Sequence, residues 1–312
     1  MERYLVTGGA GFIGSNICRR LVKEGAFVRV LDNLSTGKKS NLDDIIGSLE
    51  FVEGDMGDEA TARRCMKGID IVLHQGALPS VPRSVEDPAA THQHCVDATF
   101  TLLIAARDAK VRRFVYAASS SAYGDSPTLP KTESMLPNPL SPYAAAKLFG
   151  EYYCSVFSKI FGLETISLRY FNVFGPYQNP KSQYAAAIPA FVTSILNDRP
   201  PTIYGDGEQS RDFTYVENVV EANLLAARAP KTCGEVINIA CGQRITLNEV
   251  IRLINRILGK DIRPIYAPPR AGDVKHSLAD IQKAQKLIGY KPVVSFEEGL
   301  RRAIDWYKKN LL

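Results

Sequence analysis

The stretch YLVTGGAGFIGSN at residues 4–16 constrains this chain more than any other. The apolar run from Tyr4 to Val6 predicts a strand, and Ile13, Ile17 and Leu21 recur at the spacing of a helix face. Between them Gly8 permits a tight turn and Gly11 lets backbone approach a pyrophosphate. Gly14 lets the new helix lie against its strand. Unpaired N–H groups at the positive end of that helix favour a phosphate. A second apolar run, Phe27 to Leu31, ends at Asp32, eighteen residues beyond Gly14. An acid there can hold both ribose hydroxyls of an adenosine and would repel a 2′-phosphate, so the expected dinucleotide is NAD rather than NADP.

The alternation continues through the first half. Strands are expected at 49–53, 70–74, 114–118 and 165–169, with long helices at 88–109 and 143–161. That pattern predicts an α/β fold, a doubly wound parallel sheet of Rossmann type, with ligand at the carboxyl ends of its strands. The second half is less regular. Helices are expected near 185–196, 216–229, 247–258, 281–287 and 296–307, and Pro264, Pro268 and Pro269 break the pattern between two of them. We expect a cofactor domain over residues 1–171 and a smaller C-terminal α/β substrate lobe over 172–312. Segments near 212–244, including a strand at 236–240, could return to the main sheet.

The 312 residues are 45% hydrophobic and carry a net charge of +5, a mild and scattered excess. No basic run with interleaved aromatics suggests a nucleic-acid partner. No apolar run approaches the length of a membrane span, and the chain opens directly on a predicted strand. The six cysteines are widely spaced with no C-x-x-C, so reduced thiols and a cytoplasmic setting are expected.

Tyr143 and Lys147, in SPYAAAK at 141–147, share one helix face. An ammonium near the phenol, with a positive nicotinamide beyond, should lower the tyrosine pKa and make it a base toward a sugar hydroxyl. Three serines, Ser119, Ser120 and Ser121, follow the strand at 114–118, where hydroxyls can point into the cleft.

The collinear set of motifs resembles the extended short-chain dehydrogenase/reductase superfamily, and within it the NAD-dependent nucleotide-sugar 4-epimerases. It comprises TGGAGFIG (7–14), DNLSTG (32–37), GDMGD (54–58), HQGA (74–77), ASSSAYG (118–124), SPYAAAK (141–147), RYFNVFG (169–175), GEQSRDF (207–213) and RAGD (270–273). The resemblance implies Ser119, Tyr143 and Lys147 as catalytic residues. It implies NAD contacts from Gly8, Gly11, Phe12, Ile13, Gly14, Asp32, Asn33, Ser35, Thr36 and Gly37, then Asp55, Met56, Gln75, Ala77, Tyr143, Lys147 and Tyr170. Asn172, Arg211 and Arg270 would hold the nucleotide diphosphate, and Asp273 the uridine ribose. Ser80, Ser120, Ser121, Ala186 and Ser277 would lie around the substrate sugar. A small residue at position 277 implies room for a 2-acetamido group, hence UDP-N-acetylglucosamine and UDP-N-acetylgalactosamine, with the plain hexose pair also accepted.

Gly76 stands where the family usually has alanine, and Cys95 and Ala98 where it has asparagine and glycine. A 4,6-dehydratase would carry an Asp–Glu pair where this chain has Ser120 and Ser121, so dehydration lacks its acid and base. Two rival readings stay open: UDP-glucuronate epimerisation or decarboxylation on the same fold, and a non-catalytic sensor that binds NAD and a nucleotide sugar. His92, His94 and Cys95 do not converge on a helix, so no metal is expected. The resemblance further implies a homodimer in which the helices at 88–109 and 143–161 pair with those of a second subunit in a four-helix bundle.

Overall fold

The computed structural model describes residues 1–180, 186–269 and 274–311. Arg270 and Asp273 therefore lie outside the described residues. In the first half the chain runs β1 (Arg3–Thr7), α1 (Phe12–Lys23), β2 (Phe27–Asp32), β3 (Glu50–Glu53), α2 (Glu59–Met66) and β4 (Ile71–His74). Then come α3 (Val81–Glu86), α4 (Pro88–His92), α5 (Ala98–Asp108), β5 (Arg113–Ser119), α6 (Pro142–Phe161) and β6 (Glu164–Tyr170). The second half has β7 (Val173–Phe174), α7 (Ala187–Leu196), β8 (Thr202–Tyr204), β9 (Ser210–Arg211), β10 (Thr214–Tyr215) and α8 (Val216–Arg228). It closes with β11 (Glu235–Ile239), β12 (Ile245–Thr246), α9 (Leu247–Leu258), β13 (Ile265–Ala267), α10 (Gln282–Ile288) and α11 (Phe296–Leu311).

Seven strands form one parallel sheet in the order β11-β6-β5-β4-β1-β2-β3. Their near-continuous Val, Ile and Leu content fits a sheet buried on both faces. On one face Ile17, Cys18 and Leu21 of α1 pack with Val219, Ala222 and Leu224 of α8; on the other, Ala62 and Cys65 of α2 pack with Leu102 and Leu103 of α5 and Phe157 of α6. The strand order reverses at β1, which has β2 on one side and β4 on the other. Such a switch point opens a crevice at the carboxyl ends of the strands. A separate apolar cluster, including Phe191, Phe213, Ile254, Phe296 and Tyr307, is the core of the smaller lobe.

Two expectations needed adjustment. The proline-broken stretch around 264–269 contains β13, paired in parallel with β8; the pairing starts at Ile265, just past Pro264, which has no N–H to give. The helix expected over 88–109 is interrupted by a π turn at Gln93–Asp97. Such turns are commonest at functional sites.

Candidate active site

The glycine turn after β1 is built as its spacing requires. Gly8 has φ +65°, and its amide donates to the Leu31 carbonyl at 2.9 Å. A methyl group on Gly14 would come within 2.2 Å of the Gly8 carbonyl oxygen, so only glycine lets α1 start there. Gly11 caps α1 without any side-chain bond, which leaves the first-turn amides available to an anion. Asp32, at the end of β2, accepts from the Ala10 amide at 2.9 Å on Oδ2 and the Leu34 amide at 2.8 Å on Oδ1. Each oxygen keeps a lone pair, so two ribose hydroxyls can still be held. Burial pushes its pKa up, against the pull of those two amides.

These residues line one cleft of about 1050 Å³, with Phe12, Ile13, Asn33, Ser35, Thr36, Gly37, Met56, Gln75, Ala77, Ser80, Tyr143, Lys147 and Tyr170 also on its wall. Asp55, next to Met56 of the wall, accepts from the Gly57 amide at 2.7 Å and the Asn33 side chain at 3.3 Å. A pocket of about 290 Å³ adjoins it and is lined by Asn172, Ala186 and Arg211 among others. Ala186 is on the wall of both cavities.

At the end of β5 the Ser119 hydroxyl accepts from the Ser121 hydroxyl at 2.8 Å and the Ser121 amide at 3.2 Å. Both lone pairs are then used, which leaves its own proton to give, and its side chain is near enough to the Tyr143 phenol to pull that group's pKa down. Ser121, expected at the sugar, donates to Ser119 and orients it. Ser120 caps nothing and stays half-buried beside it.

Lys147, one turn beyond Tyr143, donates from Nζ to the Ala117 carbonyl at 2.8 Å and stands 4.9 Å from the Tyr116 ring centroid. Glu151, one turn further along α6, is gripped by Arg169 through two bonds of 2.8 and 2.7 Å. In the protein alone burial pushes the Tyr143 phenol well above its ordinary value, and the Ser119 side chain pulls the other way. Burial also lowers the Lys147 pKa.

Several supports were invisible in the sequence. Tyr170, Gln75 and Asn223 bond one another: Asn223 Nδ2 donates to Tyr170 at 2.8 Å, and Gln75 donates to Asn223 Oδ1 at 3.0 Å. Asn223 comes from α8, far along the chain, and no motif marks it. His74 is buried between Thr7 and Thr99, at 2.7 and 2.9 Å, with its pKa pushed down to about 3 by burial. Thr99 gives its proton to the Cys95 carbonyl within the π turn, so it accepts from His74 Nε2, and Nδ1 accepts from Thr7. The Thr7 oxygen then receives the Gly76 amide at 3.2 Å. This neutral relay ties the π turn to the cofactor crevice.

The departures from the usual pattern have local explanations. A methyl group on Gly76 would meet the Met56 sulfur at 2.5 Å, so Met56 fills the space an alanine would take. Ala98 lies near Gly57, where an added methyl would stand an ordinary 3.6 Å from the Ala98 methyl. Cys95 is buried against Val96 and Ala146, with Sγ 3.9 Å from the Leu78 carbonyl.

Ser80 caps α3, accepting the Arg83 amide at 3.2 Å. Asn172 takes a left-handed φ of +36° and donates to the Asp212 carbonyl at 3.2 Å. Arg211 reaches the Ser210 and Lys275 carbonyls at 3.0 and 3.1 Å. Ser277 sits next to that strand, its amide on the Ser210 carbonyl at 3.0 Å, but its side chain is not among the described residues lining either cavity.

The sequence pattern of the NAD dependent epimerase/dehydratase family matches residues 4–240. The chain belongs to that family. A UDP-N-acetylglucosamine 4-epimerase from Methanobrevibacter ruminantium, solved with UDP-N-acetylmuramic acid, is 42% identical with a TM-score of 0.95, over 99% of this chain and 98% of its own. A putative UDP-glucose 4-epimerase of Methanocaldococcus jannaschii is 39% identical over 98% of both chains. A UDP-glucose 4-epimerase from Thermus thermophilus, solved with NAD, is 36% identical with a TM-score of 0.90 over 99% of each. The protein is an enzyme of this family and its cofactor is NAD. The glycine cradle and the two free lone pairs of Asp32 fit that cofactor.

Proposed function

We propose that this NAD-dependent UDP-sugar 4-epimerase interconverts UDP-N-acetylglucosamine and UDP-N-acetylgalactosamine, and also accepts UDP-glucose and UDP-galactose. The observation that carries the reading is Tyr143 and Lys147 on the wall of a cleft that meets a second pocket at Ala186, with Ser119 next to the phenol at the end of β5. NAD, when bound, supplies a reversible acceptor for the C4 hydride. Tyr143 as phenolate would take the C4 hydroxyl proton and later return it. Ser119, whose own proton is left free by Ser121, would hold the reacting group. Lys147 would offset the negative charge. In this reading residues 1–171, with segments near 212–244, hold the cofactor, and 172–312 hold the nucleotide sugar.

Asn172 and Arg211, with Arg270 and Asp273, would anchor the nucleotide while the sugar turns over. The small side chains of Ala186 and Ser80 on the cleft wall favour an acetamido group, as does the similarity to a UDP-N-acetylglucosamine 4-epimerase. We assign Ser277 to the same wall. The free thiols suit a reducing cytoplasm. Phe149, Tyr152, Val156 and Ile160 are exposed along α6, beside Phe100 of α5, and we assign this apolar face to a homodimer through a four-helix bundle.

The test is a rate comparison on UDP-N-acetylglucosamine, UDP-glucose and UDP-glucuronate, repeated with Ser277→Tyr. The acetamido sugar should turn over in the parent. The variant should lose it and keep UDP-glucose, since overfilling a site costs roughly 1–3 kcal/mol. Equal loss of both activities would remove Ser277 from the wall, and turnover of UDP-glucuronate alone would overturn the substrate assignment.

A further inference from the structure

The C-terminal helix reaches the cofactor cleft, although nothing in its sequence marks it as functional. Trp306 lines the same cleft as Gly11 and Gly37, and so does Tyr177 from the segment after β7. The two rings meet with centroids 5.1 Å apart at 54°. The Arg19 guanidinium also packs on Tyr177, 3.9 Å from its ring centroid. Arg19 is fixed in turn by Asp44, through Nε at 2.8 Å, and by the Ser15 carbonyl at 3.1 Å. A row of contacts therefore runs from the loop after β2, over α1, to Tyr177 and to Trp306 of α11, the last two on the cleft wall.

The backbone around Tyr177 is held for this purpose. Tyr177 has φ +70°, a conformation that costs a bulky residue on the order of 1–3 kcal/mol and persists only where its surroundings impose it. They do so at both ends. Asn16 donates to the Pro176 carbonyl at 3.1 Å, and the buried Tyr307 donates to the Gln178 carbonyl at 3.0 Å. Cation–π and aromatic contacts then fix the ring itself.

We propose that Arg19, Tyr177 and Trp306 form a clasp that retains the bound dinucleotide between turnovers. An epimerase returns its hydride to the substrate and has no need to exchange its cofactor. Retention has a purpose only on that reading, whereas NAD binding does not depend on it.

The experiment measures NAD release from purified enzyme loaded with radiolabelled NAD and chased with excess unlabelled NAD. Trp306→Ala and Tyr177→Ala should each speed release by roughly tenfold or more, equivalent to about 1.4 kcal/mol. Trp306→Phe, which keeps a ring against Tyr177, should stay near the parent. Arg19→Gln, on the outer side of the row, should release faster than the parent and decides the matter if the alanine variants do not fold. Unchanged release in folded Arg19→Gln and Trp306→Ala overturns the clasp, and so does a parent that loses NAD in one gel-filtration pass. Failure of the epimerase reading would look different: NAD retained, but no epimer formed from any UDP-sugar.

Discussion

At Tyr143 burial holds the phenol above its ordinary pKa while the Ser119 hydroxyl pulls it down. In the proposed mechanism the positive nicotinamide would favour the phenolate. Tyr143→Phe should cut turnover by at least ~10²-fold while NAD binding survives, as steady-state rates and bound-NAD content would show. Asp212 offers a pH test in the smaller lobe. Its carboxylate accepts the amides of Cys241, Gly242 and Ala279 at 3.0, 3.0 and 3.2 Å, yet burial pushes its pKa up to about 6 from 3.8. A raised acid favours folding in its protonated form. Its contribution is complete below about pH 4 and is lost as pH rises through about 6. In urea melts at a series of pH values, the parent should gain on Asp212→Asn as pH falls from 7 to 5, by on the order of 2 kcal/mol at most. A difference that ignores pH would contradict it. Ser119, Tyr143 and Lys147 were legible because their chemistry sits in contiguous motifs. Asn223, and the pairing of Gly76 with Met56, were not, because each depends on which side chain the fold brings opposite.

Helix α6 shows the same divide among elements. Its Ser141 cap accepts the Ala144 amide at 3.1 Å, and its extent, close to the 143–161 expected, follows from the sequence. The reason for Gly150 in its interior does not. A methyl group there would come within 2.3 Å of the Tyr116 hydroxyl, whose ring lies buried under the helix beside Lys147. Gly150→Ala should destabilise the fold by roughly 1–3 kcal/mol in chemical denaturation, despite alanine's better helix propensity. Helix α9 opens on a complete capping box between Thr246 and Glu249. Thr246→Ala should cost about 1 kcal/mol by the same measurement. The π turn in the α4–α5 run was hidden because it is set by Thr99 and His74, which come from two elements.

For the whole molecule, the parallel sheet and its switch point follow from the β–α alternation, while the smaller lobe was harder to read because its strands are two or three residues long. The exposed apolar face of α6 predicts a dimer mass by light scattering at micromolar concentration; a monomer would contradict the assignment of that face to a subunit interface. The central claim is C4 epimerisation within one closed site. The most direct measurement follows UDP-N-acetylglucosamine deuterated at C4 by NMR. The account predicts UDP-N-acetylgalactosamine that keeps its deuterium at C4; no epimer, or an epimer whose C4 deuterium has been lost to solvent, would contradict it.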